Sequence, residues 1–193
     1  MRPLLIIIAS LLIAGCAGGS RPTSEFNYLL TSERPAGQAS LSGTVYAAPL
    51  TVDEPFGQRG FVYREAAQRF VVDPYRGYLS APGRLIDRRL AAWLTAAGAT
   101  PTLDRQAARH VVTGRVAALY FDLRPEQPAT AVIELRLDLG SPGEAGRALV
   151  ITGRARVAPV SSDGLAAASN AALADALSQL ETALAGESRA ALR

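Results

Sequence analysis

The chain has no lysine, and among its 193 residues it holds one cysteine, one histidine, one tryptophan and one methionine. Each shortage closes off a chemistry. A lone cysteine cannot form an intrachain disulfide, so stability has to come from packing. Without lysine, the phosphate-cradling pattern G-x-x-x-x-G-K-[ST] cannot be written, and G-x-G-x-x-G is missing too. C-x-x-C, H-E-x-x-H and G-x-S-x-G do not occur, and no acidic cluster has the spacing of a metal site. His110 stands alone at the entrance of a predicted strand and reads as a structural residue. Asp53 and Glu54 are adjacent acids, but neighbours on an extended chain point to opposite sides. The chain is therefore read as non-enzymatic, with no catalytic residue, no metal and no cofactor.

Charge is also short on pattern. All twenty basic residues are arginine, against seventeen acids. They are scattered, with Arg88-Arg89 the one adjacent pair, and no basic block of the kind that binds nucleic acid is present.

What the chain does have is an apolar run, Leu4 to Ile13, behind Arg2 and ahead of Ala14-Gly15-Cys16. Positive start, apolar middle and small residues before a cut are the parts of a signal segment. As a helix, Leu4 to Gly15 would reach about 18 Å at about 1.5 Å per residue, short of the roughly 30 Å hydrocarbon core. It does not span. Ile13-Ala14-Gly15-Cys16 has the form of a lipobox, in which the thiol of Cys16 is acylated and the mature chain begins there. An ordinary secretory signal with an incidental cysteine is the alternative. In Gram-negative sorting, aspartate after the cysteine marks inner-membrane retention; Ala17 stands here, which points to the outer membrane facing the periplasm.

The expected division is residues 1–15 as signal peptide and 16–25 as acylated cysteine and tether. A single domain over 26–186 and a frayed tail over 187–193 follow. The 178 residues from Cys16 onward are enough for one domain with a real core. The tether sequence AGGSRPTSE is small, polar and Gly/Pro-containing. Strands are expected at Phe26 to Leu30, Thr44 to Val52, Phe61 to Arg64 and Arg69 to Val72, with Asp73 to Pro82 as an aromatic, turn-rich connection. Pro82 suits the first turn of a helix. Ile86, Leu90, Trp93, Leu94 and Ala97 recur on one helical face, and Gly98 closes it. A second helix starts near Ser162 or Asp163, carries Leu165, Leu173, Ala176, Leu177, Leu180 and Leu184, and ends at Gly186. Between the helices the period changes to two, in Val111 to Phe121, Ile133 to Leu139 and Leu149 to Val157. Such alternation marks a sheet with one buried and one wet face. The expected fold is α+β, in two layers: a twisted, mainly antiparallel sheet with two amphipathic helices packed on one face.

Phe56, Arg59, Tyr63, Arg64, Tyr75 and Tyr78 fall in the less regular third of the domain. They either fill the sheet edge and cap the core or form a contact surface for a partner, since aromatic residues and arginine dominate interface anchors.

Taken with the lipobox, the segments Asn27-Tyr28-Leu29-Leu30, Leu50-Thr51-Val52, Pro55-Phe56, Arg59 and Phe61-Val62-Tyr63-Arg64 resemble the ABC-type transport auxiliary lipoproteins, the PqiC-like family. Tyr75 to Gly98, an aromatic loop and then a helix with a tryptophan, stands in the corresponding place. The resemblance implies a non-catalytic accessory of an MCE-type lipid transporter. It would be held in the membrane by acylated Cys16 and would dock the periplasmic MCE-type protein at the outer membrane. Homo-oligomerisation is left open. A periplasmic lipid carrier or chaperone, and an envelope-assembly lipoprotein of another machine, are the rival readings.

Overall fold

The computed structural model describes residues 25–190, with side chains through residue 187. Cys16, the signal segment and nearly all of the tether lie outside the described residues. The elements run β1 (Phe26–Tyr28), β2 (Thr44–Ala47), β3 (Thr51–Val52), β4 (Gly60–Arg64) and β5 (Phe70–Tyr78). Helix α1 (Pro82–Ala96) and strands β6 (Thr100–Pro101), β7 (His110–Asp122), β8 (Thr130–Gly140) and β9 (Arg147–Arg156) follow, before helix α2 (Ser162–Ala190).

Strand β7 is the spine of the sheet. Along one side β8 pairs with it antiparallel, from Val111↔Gly140 to Asp122↔Thr130, and β9 pairs antiparallel with β8. Along its other side β2, β3 and β4 dock in turn, all parallel, at Val45↔His110, Thr51↔Arg115 and Tyr63↔Phe121. Strand β5 runs antiparallel to β4, and β1 runs parallel to β5 at the sheet edge. The fold is α+β as expected, but the sheet is mixed: its long ladders are antiparallel and its short ones parallel. The single expected strand from Thr44 to Val52 is two strands, because Ala48-Pro49-Leu50 interrupts it where proline lacks a ladder donor.

One apolar cluster joins Val112, Val116, Leu119 and Phe121 of β7 to Ile133, Leu135, Leu137 and Leu139 of β8. Ile86, Leu90, Trp93 and Leu94 of α1 and Leu165, Leu173, Leu177, Leu180 and Leu184 of α2 complete it, so both helices cover the same face. On the reverse face Arg136 and Asp138 are exposed, and Arg136 pairs with Glu134 at 2.8 Å. Burying one leucine contributes about 1.5–3 kcal/mol, whereas an exposed ion pair contributes roughly 0–1 kcal/mol. The apolar face decides the fold.

Helix α1 begins at Pro82 and stops where Gly98 adopts φ +102°, the left-handed turn that glycine takes without a Cβ penalty. Helix α2 comes down onto β9 at Gly153. A Cβ there would lie 2.0 Å from the Ala172 carbonyl oxygen, and Ala172 and Ala176 are fully buried. The same approach covers the free edge of β9: Asp175 accepts the Arg154 N–H at 3.0 Å, and Gln179 donates to the Thr152 carbonyl at 3.1 Å. An uncovered edge of this length would be a template for association. Ser161 caps the helix by accepting the Gly164 N–H at 3.1 Å. At the other end, α2 does not stop at Gly186 but continues to Ala190. Gly186 is not among the glycines with positive φ, so no turn is made there, and Glu187 holds Arg147 at 3.1 Å.

A long irregular stretch between β1 and β2 is strapped across both helices. Asn170 accepts the Thr31 N–H through its side chain and the Ser32 hydroxyl through its carbonyl, each at 2.7 Å. The N–H groups of Ser40 and Leu41 both donate to the Ala97 carbonyl. The centre of the strap is Glu181. Its carboxylate accepts Arg34 Nε and Nη2, each at 2.9 Å, the Trp93 indole N–H at 2.7 Å, and the Ser40 hydroxyl. One acid thus ties the strap, α1 and α2 together. Arg34 first, then Ser40 and Trp93, hold this carboxyl below the ordinary range against the opposing effect of burial.

Gly153→Ala is expected to lower stability by about 1–3 kcal/mol through overpacking, whereas Gly186→Ala, where a Cβ meets nothing within 4 Å, should raise it by about 0.5–1 kcal/mol. Urea denaturation of the two variants checks both signs. Glu181→Ala leaves the Trp93 donor unpaired and should lower stability by about 1–3 kcal/mol at neutral pH. Because the folded pKa is depressed, this contribution is present above the unfolded value of about 4.3 and is lost as pH falls through the folded one. The deficit of the variant should shrink on acidification. A deficit independent of pH would contradict the assignment.

Candidate functional site

The six residues singled out from the sequence do not form one surface. They separate along β4 and β5, whose ladder is in register at Val62↔Val72 and again at Gly60↔Gly77. Between these points β5 carries Asp73 to Arg76 against Phe61 alone, so the strand bulges. Asp73 closes the bulge from inside. Its Oδ1 accepts the N–H groups of Tyr75 and Arg76 at 2.8 and 3.0 Å, and its Oδ2 accepts the Tyr63 hydroxyl at 2.7 Å. Burial opposes the charge of Asp73, but these bonds and the Arg76 guanidinium outweigh it and keep the carboxyl below its ordinary range. Gly77 sits tight against this turn: a Cβ there would lie 2.2 Å from the Arg59 carbonyl oxygen.

The bulge leaves Tyr75 half exposed beside a concavity of about 160 Å³ lined by Glu25, Asn27, Arg59, Asp73, Tyr75 and Arg76. Arg59 is fixed there, donating to the Tyr78 carbonyl at 3.1 Å and to Asn27 Oδ1 at 3.1 Å. Arg59 and Tyr75 therefore belong together, at the edge where the described chain begins.

Phe56 and Arg64 belong to a second place. Phe56, Phe70 and Tyr120 form an aromatic group with ring centroids 5.4–6.1 Å apart. Arg64 lies 5.7 Å from the Phe70 centroid, a cation–π arrangement. Its other side faces Asp122, a buried acid that also holds Arg124 through two bonds of 2.8 Å. Phe70 is exposed, so this group is an open apolar and cationic surface.

Of the two readings, Tyr78 takes the core-capping one, and its place as a partner contact is corrected. Asp73 to Tyr78 is strand, not connection, and alternation past Gly77 turns Tyr78 into the core. Tyr78 is 3% exposed, packs edge-on against Phe61 at 5.0 Å and pairs with Ser169 of α2 at 3.0 Å. It cannot meet a partner in the folded chain. Tyr63 is half-buried, and its hydroxyl is already committed to Asp73. Burial and then Asp73 push its ionisation far above the ordinary tyrosine value. Phe70, Tyr120, Asp73 and Asp122 were missed from sequence. Phe70 and Tyr120 alternate as ordinary strand residues, and the two acids show their partners only after the strands pair.

Among the described residues no cluster of histidine, cysteine, aspartate or glutamate could hold a metal ion, and no helix is long and apolar enough to cross a membrane.

No family model and no curated protein matches the sequence. Solved structures do match in fold. A crystal structure of a Xanthomonas campestris protein assigned to family DUF330 superposes with a TM-score of 0.68 at 14% identity, covering 87% of this chain and 98% of that one. The crystal structure of an uncharacterized protein superposes with a TM-score of 0.60, also at 14% identity, over 85% of this chain and 98% of the other. At this identity the likeness establishes a shared fold: the chain has the fold of a DUF330 protein over nearly its whole length.

Proposed function

We propose that the chain is a non-catalytic accessory lipoprotein of the PqiC-like kind. It would be anchored by acylated Cys16 in the outer membrane, facing the periplasm, and would dock the MCE-type periplasmic protein of an ABC lipid transport system there. The observation that carries this reading is the short chain distance between the lipobox cysteine and the first described strand. The first strand starts at Phe26, ten residues after the lipobox cysteine, so the folded body follows its anchor at once. The DUF330 fold likeness supports the family, and the lipobox supports the anchor.

The physics is one of confinement. Each acyl CH₂ buried contributes about 0.8 kcal/mol, and one chain alone binds only marginally, so two or three chains on Cys16 are needed for stable attachment. Nine tether residues span at most about 30 Å at roughly 3.3 Å each. A domain confined to so thin a layer meets its partner at high effective concentration, and weak surface contacts then suffice. The aromatic group of Phe56, Phe70 and Tyr120 with Arg64 has the composition of such a contact. The body would act alone or as a homo-oligomer. The carrier reading needs an apolar chamber between sheet and helices; where α2 crosses β9, the backbone contact between Gly153 and Ala172 leaves none.

Cys16→Ser should yield a folded domain in the soluble periplasmic fraction that fails to restore envelope lipid transport in a strain lacking the protein. Fractionation and a complementation assay measure both. Full complementation by the soluble form would contradict tethering. Lipid extraction of the same soluble domain should return no stoichiometric phospholipid; a molar equivalent would favour the carrier reading.

A further inference from the structure

Exposed large apolar residues are not spread evenly over the body. Of nine among the described residues, four lie on the paired strands β1 and β5 or just past their ends: Phe26, Leu29, Tyr75 and Leu79, exposed at 49%, 49%, 49% and 54%, with Phe26 on one face of the edge and Leu29 and Leu79 on the other. Phe26 and Leu29 belong to β1 and the residue following it; Tyr75 and Leu79 belong to β5 and the residue following it. The two strands are directly paired, with Phe26 opposite Arg76, and the Leu79 N–H donates to the Tyr28 carbonyl. Single exposed apolar residues need no explanation, but a group of four on one sheet edge does. The edge also carries arginine: Arg59 lines its concavity, held by the Tyr78 carbonyl and Asn27, and the Arg76 side chain is 48% exposed and pairs with Asp73 at 3.5 Å. Aromatic rings, leucines and guanidinium groups together are the composition of a surface that sits at the level of lipid headgroups.

The place of this edge in the chain says what covers it. β1 is the terminal strand of the sheet, and it is the strand that emerges from the tether. Nine residues separate Cys16 from Phe26. The β1–β5 edge is thus the part of the described body tied most closely to the anchor, and it is where the apolar side chains are left uncovered.

We infer that the β1–β5 edge is a membrane-contact surface. Phe26, Leu29, Tyr75 and Leu79 seat at the headgroup boundary of a phospholipid bilayer, and Arg76 and Arg59 face its phosphates. The inference rests on the acylation of Cys16 and adds an orientation to it. The body would lie with β1 down, holding the Phe56–Phe70–Tyr120 group off the β1 edge for a partner. A second lipid-facing contact restricts rotation about the tether, which a flexible anchor alone does not do.

The chain itself makes the test clean, because Cys16 is its one cysteine and an acylated Cys16 has no free thiol. Full-length chains carrying Phe26→Cys, Leu79→Cys, Leu103→Cys or Val150→Cys are purified from membranes and their masses checked for acylation. They are then labelled with an environment-sensitive fluorophore and reconstituted in phosphatidylethanolamine–phosphatidylglycerol vesicles containing a lipid quencher placed near the headgroup. Leu103 and Val150 are exposed controls away from the edge, at 99% and 62%. Labels at Phe26 and Leu79 should be blue-shifted and quenched severalfold more than those at Leu103 and Val150. Equal quenching at all four positions on an acylated chain overturns the edge contact and leaves the anchor standing. An unmodified Cys16 thiol overturns the anchor, and the edge contact with it.

Discussion

Backbone meets backbone where α2 crosses β9, and the rest of the molecule is arranged around that contact. Gly153 has no side chain to hold the helix off, and Ala172 and Ala176 present almost none from the other side. The helix therefore lies at the closest distance the chain allows, with Leu173, Leu177, Leu180 and Leu184 packed among the strands. Glu181 then draws in the pieces that do not belong to sheet or helix face, binding Arg34 and Ser40 of the strap and Trp93 of α1. A carboxylate with four donors is satisfied where an unpaired one would be costly.

Close seating has a functional consequence. Where helix and sheet touch at Gly153, no volume is left between them for a guest. Two outer places differ in character. The bulge of β5 makes a polar concavity at the anchored edge, held by Asp73 and Arg59 and bordered by exposed apolar side chains. Phe56, Phe70 and Tyr120 make an aromatic face topped by Arg64.

Much of the fold is legible in the sequence, because it is written in local periods. Helix α1 shows its start in Pro82, its buried face in Ile86, Leu90, Trp93 and Leu94, and its stop in Gly98. The alternation of Ile133, Leu135, Leu137 and Leu139 with Glu134, Arg136 and Asp138 gives β8 its two faces. What is not legible depends on distant pairing. Nothing local says that β2, β3 and β4 line up along one side of β7, or that they do so in parallel. Asp73-Pro74-Tyr75-Arg76 reads as a turn and is a bulge inside a strand, because Asp73 supplies the acceptors that the ladder does not. The bulge is also what decides between the two readings of Tyr78, in favour of the core. Gly186 read as a helix end, yet helix geometry tolerates a glycine when the flanking turns hold. The role of Glu181 is not legible locally, because its four donors arrive from segments 88 or more residues away.

The central claim is that this body works while fixed to a bilayer through Cys16. The most direct test is the intact mass of the protein taken from the membrane fraction of its native host. The account predicts a chain that begins at Cys16 and carries a diacylglyceryl group with or without a further acyl chain. A soluble product whose Cys16 retains a free thiol would contradict it.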